Sequence, residues 1–197
     1  QVQRDLGQRS FKHFAQMAWH VVEPGTPLMW GWAMDAICDH LQAFGERQFN
    51  RLLMNVPPGM AKSMLTCVLY PAWLWTHKDR QYRRILSTAH KVDLALRDNM
   101  KCRRLIQSAW FQERWPITLM ADNNQKGRFE NDSTGFREAM AFTSLTGSRG
   151  DDLLIDDPIS VNDANSVAAL VDAETTFLEA VPTRLNNEDS GIAVIMQ

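Results

Sequence analysis

A chain of 197 residues, 45% of them hydrophobic, is long enough to bury the core of one domain and leaves room for little more. Its net charge of −2 and pI near 6.2 exclude a bulk cationic field, so any nucleic-acid surface would have to be a local basic patch. Cys38, Cys67 and Cys102 are widely spaced and form no C-x-x-C pair, which argues against a zinc or redox centre of that pattern and for buried thiols in a reducing compartment.

The opening QVQRDLGQRS has no signal-peptide pattern. Ser10 to Val21 and Trp30 to Phe44 read as helices, which makes residues 1–45 a helical preface to a core spanning 46–197. Four apolar runs follow: Leu52 to Val56, Ile85 to Ala89, Leu153 to Ile155 and Ile192 to Met196. Each is nearly continuous, the pattern of strands covered on both faces by helices.

Helices fill the intervals. Lys62 to Thr76 is predicted as one, with Pro71 expected to kink or end it. Its apolar part, Met64 to Trp75, is too short to span a bilayer, so a soluble intracellular protein with no membrane partner is expected. KVDLALRDNMKCRRLIQSAW suits a helix burying Val92, Leu94, Leu96, Met100, Leu105 and Ile106. NDANSVAALVDAETTFLEAV offers an Asx-type cap and a third helix with Pro182 near its end. Ile117 to Phe142 interrupts the alternation as a small β-meander inserted before the third core strand. The whole reads as an α/β fold with a mostly parallel central sheet flanked by helices. The chain starts without Met and stops inside an apparent buried strand at GIAVIMQ, the expectation for a piece of a longer protein.

RLLMNVPPGMAKSML sits between the first strand and the first core helix. A phosphate loop, G-x-x-x-x-G-K-[ST], aims backbone N–H groups, the helix N-terminus, a lysine and a metal-binding hydroxyl at bound phosphates. Here Val56 and Ala61 stand where the two glycines belong. Pro57 and Pro58 have no N–H to donate, so the donors run from Gly59 through Met60, Ala61, Lys62 and Ser63 towards Met64. Gly59 is the position expected to take a positive φ, and Ala61 has to tolerate its methyl group. The other reading is a Pro-Gly turn before a helix that starts Ala-Lys-Ser.

GSRGDDLLIDDPIS adds an apolar strand ending in Asp156 and Asp157. An acidic pair at the carboxyl end of a buried strand is what a Walker B element requires, one carboxylate for magnesium and one to polarise the attacking water. A strand cap before an Asp-Pro turn would look similar. Two such motifs in this order favour the nucleotide reading, with Lys62 and Ser63 on the phosphates and metal, Asp156 on the metal and Asp157 on the water. Arg149, in a polar loop flanked by glycines, is a candidate arginine finger for its own site or a neighbour's, although a solvated loop arginine is the plainer reading. Arg97, Lys101, Arg103 and Arg104 read as a solvated helix face rather than a DNA-phosphate surface.

From Trp30 to Gln197 the chain resembles the ATPase domain of the large terminase subunit of tailed bacteriophages. The resemblance rests on LLMNVPPGMAKS, RILSTAHKVDLALRDNMKCRRLI, TGSRGDDLLIDDP and TRLNNEDSGIAVIMQ. Many members carry P-P-R-x-G-K-S and a glutamate after the Walker B aspartate, so Gly59, Ala61 and Asp157 depart from the common form. The resemblance implies a RecA-like P-loop fold and magnesium-dependent ATP hydrolysis driving double-stranded DNA into a procapsid. It also implies a homo-oligomeric ring working with the portal protein and the small terminase subunit in the infected host's cytoplasm, not retained in the mature virion. A nuclease domain would follow beyond Gln197. The rival readings are a helicase-type ATPase and a nucleotide-binding assembly module that does not turn over alone.

Overall fold

The computed structural model describes residues 1–197 as a seven-stranded sheet between unequal layers of helix and loop. In chain order the main elements are α1 (Val2–Arg9), α2 (Phe11–Val22), α3 (Trp32–Gly45), β1 (Arg51–Asn55), α4 (Tyr70–Leu74), β2 (Ile85–Ala89), α5 (Val92–Gln107) and α6 (Ala109–Gln112). They continue with β3 (Leu119–Asn124), β4 (Arg128–Asn131), β5 (Phe136–Ala141), β6 (Asp152–Asp156), α7 (Val167–Thr175) and β7 (Gly191–Met196). The strand order is β1-β7-β6-β2-β5-β4-β3; the first five are parallel, and β4 and β3 turn back antiparallel.

All four core strands and the meander form where expected, with two adjustments. The meander is not a separate insertion, because β5 pairs in parallel with β2 and so extends the main sheet. β1 is an edge strand whose residues alternate between exposed and buried, so Leu53 faces outward. Its continuous apolar run implies a strand covered on both faces; an edge position with one bare face overrides that.

Alternate residues along the strands feed two cores. Ile85, Leu154, Ala193 and Ile195 point to the larger one, which also takes Phe11, Phe14, Leu41 and Phe44 from α2 and α3 and Val68 and Trp73 from the helix after the loop. Leu86, Leu153, Ile155 and Ile192 point the other way, under Phe136, Phe142 and Val181. The N-terminal helices are therefore packed into the same core as the loop helix. Trp73 reinforces this by donating its indole N–H to the carbonyls of Gly7 and Gln8, at 3.1 and 3.2 Å. The polar stretch of α1 buries only Gly7 and offers no apolar stripe, so its sequence does not announce the helix. α7 is capped by Ser166, whose hydroxyl accepts from Ala169 N–H, rather than by an Asx residue, and it buries no side chain. No helix is long and apolar enough to cross a membrane.

Pro71 does not end its helix. Lys62 and Ser63 open it, Met64–Leu69 widens into a π-helical stretch, and Tyr70–Leu74 resumes as α-helix. The widened turn lets Tyr70 N–H donate to Leu65 rather than Thr66, which opens the spacing just where the proline ring would crowd a regular turn.

Candidate functional site

The loop after β1 and the acidic end of β6 meet at the carboxyl edge of the parallel sheet, separated only by β7. This edge is where ligands of open α/β sheets bind, because helix N-termini and strand carboxyl ends converge there. Val56 N–H still bonds to Met196 on β7 at 2.9 Å, so the chain stays extended up to the prolines. Gly59 then turns with φ of +85°.

Ala61 also takes a left-handed conformation, with φ of +53°. The expectation that Gly59 alone would do so is thus corrected. The loop needs the left-handed turn immediately before the lysine, where the usual pattern has glycine, and an alanine held there costs roughly 1–2 kcal/mol. Its carbonyl accepts from Leu65 N–H at 2.9 Å, so this strained residue starts the helix.

Lys62 is almost wholly buried and its Nζ lies 2.9 Å from Asp157 Oδ1, a contact spanning 95 positions of sequence. Asp157 is itself left-handed, with φ of +43°, a conformation aspartate tolerates better than most residues. Further contacts hold it. Its N–H donates to Ile195 at 2.8 Å, its carbonyl accepts from His90 N–H at 3.2 Å, and its Oδ1 accepts from Gln197 N–H at 3.1 Å. His90 Nδ1 lies 3.1 Å from the same carbonyl. A 220 Å³ cavity bordered by His90, Asp157, Pro158, Met196 and Gln197 opens beside it.

Asp156 closes β6 nearly buried, and its pKa is pushed up from 3.8 to about 6. Burial is the main cause; the negative charges of Asp157 and Asp98 add to it, while the Ser63 hydroxyl and Lys62 oppose it. One carboxylate oxygen, Oδ1, is buried without a hydrogen-bond partner. An orphaned carboxylate oxygen next to a helix-start hydroxyl fits a magnesium ion, which takes few protein ligands and completes its shell with water and phosphate. The structure has no cluster of three acidic, histidine or cysteine ligands to suggest a more thoroughly protein-bound metal.

Of the residues singled out in the sequence, Gly59, Met60, Ala61, Lys62, Ser63 and Met64 form the loop and first helical turn, and Asp156 and Asp157 face them. Arg149 does not join them. It precedes the amino end of β6, six strand positions of roughly 3.3 Å each separating neighbouring Gly150 from Asp156. A gap of roughly 20 Å is beyond an arginine side chain, so the own-site alternative for Arg149 is corrected, and a role on a neighbouring subunit or that of a solvated loop residue is left.

The amino end of β6 has its own acidic pair. Asp152, fully buried, binds Arg47 at 2.6 Å and lies 3.7 Å from Arg83, while Asp151 accepts from Arg84 N–H at 2.8 Å and from Asn186 at 2.8 Å. The larger cavity of 660 Å³ sits there, lined by Arg47, Arg83 and Asp151 among others. Its arginines are committed to Asp152, so that end of the sheet is a structural clamp.

Three residues near the site went unremarked in the sequence: His90, Gln197 and Asp98. Asp98 is buried on α5, and Arg97 grips it with Nε at 2.8 Å and Nη2 at 3.2 Å. The buried side of α5 is made of Ala95, Asp98, Asn99, Cys102, Leu105 and Ile106, so the predicted apolar stripe was rotated, and Val92 is exposed. Nor do the basic residues of α5 form one solvated face. Lys101 pairs with Glu23, and Arg103 donates to the Asn124 carbonyl at 3.1 Å. All three cysteines are buried and free.

The fold is of the RecA-like α/β class, a mostly parallel sheet with a tight loop and helix start after its edge strand and an acidic pair on a central one. No protein-family model and no curated protein matches the sequence. Among solved structures, it is similar to the large terminase ATPase domain of Thermus phage P74-26, with a TM-score of 0.54 and 14% identity over 90% of this chain and 67% of that one. An arginine-to-alanine variant of the same domain gives a TM-score of 0.53 and 14% identity over 90% and 68%. At this identity the likeness speaks for the fold.

Proposed function

We propose that this chain binds and hydrolyses ATP with magnesium as the ATPase of a phage terminase, and that hydrolysis drives double-stranded DNA into a procapsid. The observation that carries the reading is the convergence of Lys62, Ser63, Asp156 and Asp157 at one point of the sheet edge, in a fold similar to that of a terminase ATPase domain. In this reading residues 46–197 are the catalytic core and residues 1–45 a helical preface to it. The larger assembly is a ring of copies acting with a portal protein and small subunit in the host cytoplasm.

The loop N–H groups from Gly59 to Met64 cradle the phosphates, and Lys62 leaves Asp157 to neutralise the β and γ oxygens. Ser63 and Asp156 would hold magnesium, which supplies charge neutralisation on the phosphates. Asp157, freed from the lysine, accepts a hydrogen bond from water in the adjoining cavity and aims its oxygen at the γ-phosphorus. The bond from that phosphorus to the β–γ bridging oxygen breaks, the electrons leave with ADP, and the water's proton passes to Asp157 or solvent. Catalysis of this kind is positioning and charge stabilisation, and removing one such group costs about 10²–10³ in rate.

The test is ATP turnover by the wild-type chain and by Lys62→Ala, measured over a range of protein concentrations because a neighbour's arginine takes part. Magnesium-dependent turnover lost in Lys62→Ala is expected. An unchanged rate in the variant would refute the phosphate-loop assignment.

A further inference from the structure

We propose that Arg97 reads the γ-phosphate of nucleotide bound in its own subunit, leaving Asp98 when a triphosphate arrives. This rests on the ATPase reading above. β2 lies beside β6 with Ala89 opposite Asp156, and α5 begins three residues after Ala89. The first turns of α5 therefore stand beside the loop helix, above the same carboxyl edge. Helix side chains lean towards the helix N-terminus, so a long side chain at position 97 is directed up towards that edge.

The local chemistry suits a movable cation. Asp98 is buried and close enough to Asp156 for its charge to act there, so two carboxylates crowd one dry seam. Arg97 compensates them from outside, its side chain still 51% exposed against 5% for Asp98. Both carboxylates push the guanidinium's pKa up, Asp98 through its hydrogen bond more than Asp156 through space. An ion pair with one partner so open to water is worth about 0–1 kcal/mol, whereas a guanidinium on a phosphate forms stronger, frequently bidentate bonds. Exchange of Asp98 for a γ-phosphate requires those bonds to outweigh the cost of leaving the nearly buried Asp98 without its partner. The loop from Val56 to Met64 has only one cation, Lys62, and the other basic groups of α5 that have partners are tied to Glu23 and Asn124. Arg97 is thus the cation on α5 poised to answer the third phosphate.

The experiment is equilibrium binding of magnesium complexes of ADP and of a non-hydrolysable ATP analogue to the wild-type chain, Arg97→Ala, Arg97→Gln and Arg97→Lys. The Gln variant keeps a hydrogen bond to Asp98, so a fold defect does not mask the result. Affinity for the analogue should fall about tenfold or more in the Ala and Gln variants, as expected for a lost charge-assisted contact. ADP affinity should stay within about twofold, and Lys should rescue part of the loss. Equal loss for both nucleotides, or no loss for either, would overturn the role of Arg97 while leaving the ATPase reading intact. A wild-type chain that binds neither nucleotide would overturn both.

Discussion

Lys62 and Asp157 are joined at 2.9 Å across the gap between the loop helix and the acidic end of β6. The pair is only partly shielded, Lys62 buried and Asp157 a quarter exposed, and it occupies the side chains that phosphate and water would each require. Under the proposed function it is a latch that nucleotide would have to open.

Asp157→Asn should accordingly split binding from turnover. Without the carboxylate, Lys62 is freed for phosphate, and ATP affinity should rise several-fold. With the water unpolarised, kcat should drop about 10²–10³-fold. Binding titrations and single-turnover rates on the same preparation check both halves; weaker binding together with slower turnover would count against the latch.

Asp156 makes stability depend on pH in a definite direction. Its pKa in the folded chain is about 6, against 3.8 ordinarily, so between those values the folded state holds a proton that the unfolded state has lost. The stabilisation is present below pH 4 and disappears as pH rises through 6, a change on the order of 3 kcal/mol. Asp156→Asn should remove this dependence, raise the Tm at pH 7 and abolish hydrolysis. Thermal melts at pH 4.5, 6 and 7.5 follow it, magnesium being left out so that the metal does not hold the carboxylate ionised.

At Ala61 the methyl group in a left-handed conformation can be exchanged for hydrogen. Ala61→Gly should stabilise the chain by about 1 kcal/mol, the relief of φ strain exceeding the extra unfolded-state freedom of glycine. For a chain of this length that is a Tm rise of about 2–4 °C. A fall in Tm would mean that the strain is compensated elsewhere in the loop.

Arg149 lies too far from its own Asp156 to act there. If it serves a neighbour, Arg149→Ala and Lys62→Ala chains, each inactive, should regain hydrolysis when mixed, since a mixed interface pairs an intact loop with an intact arginine. Mixtures as silent as their components would leave Arg149 as the solvated loop residue that the sequence also allowed.

Much of this was legible before the structure. Continuous apolar runs such as Ile85 to Ala89 have few alternatives to a covered strand, and an acidic pair ending such a run points to a sheet edge. Three things were not. Alanine disfavours positive φ, so nothing in its identity announces that Ala61 takes over the turn a glycine would make. Asp98 was invisible because an apolar stripe is read by excluding charged residues, and here the buried side includes one beside Cys102. The place of Arg149 depends on which way β6 runs relative to its neighbours, and this is a property of the sheet rather than of the local stretch.

β6 is fastened by acids at both ends, Asp152 to Arg47 at the base and Asp157, just past the strand, to Lys62 at the top. Parallel neighbours on both sides hold the strand along its length as well. Loss of either ion pair would leave one tip of β6 anchored only by its backbone ladder, so Arg47, remote from the loop, bears on how firmly Asp156 and Asp157 are presented.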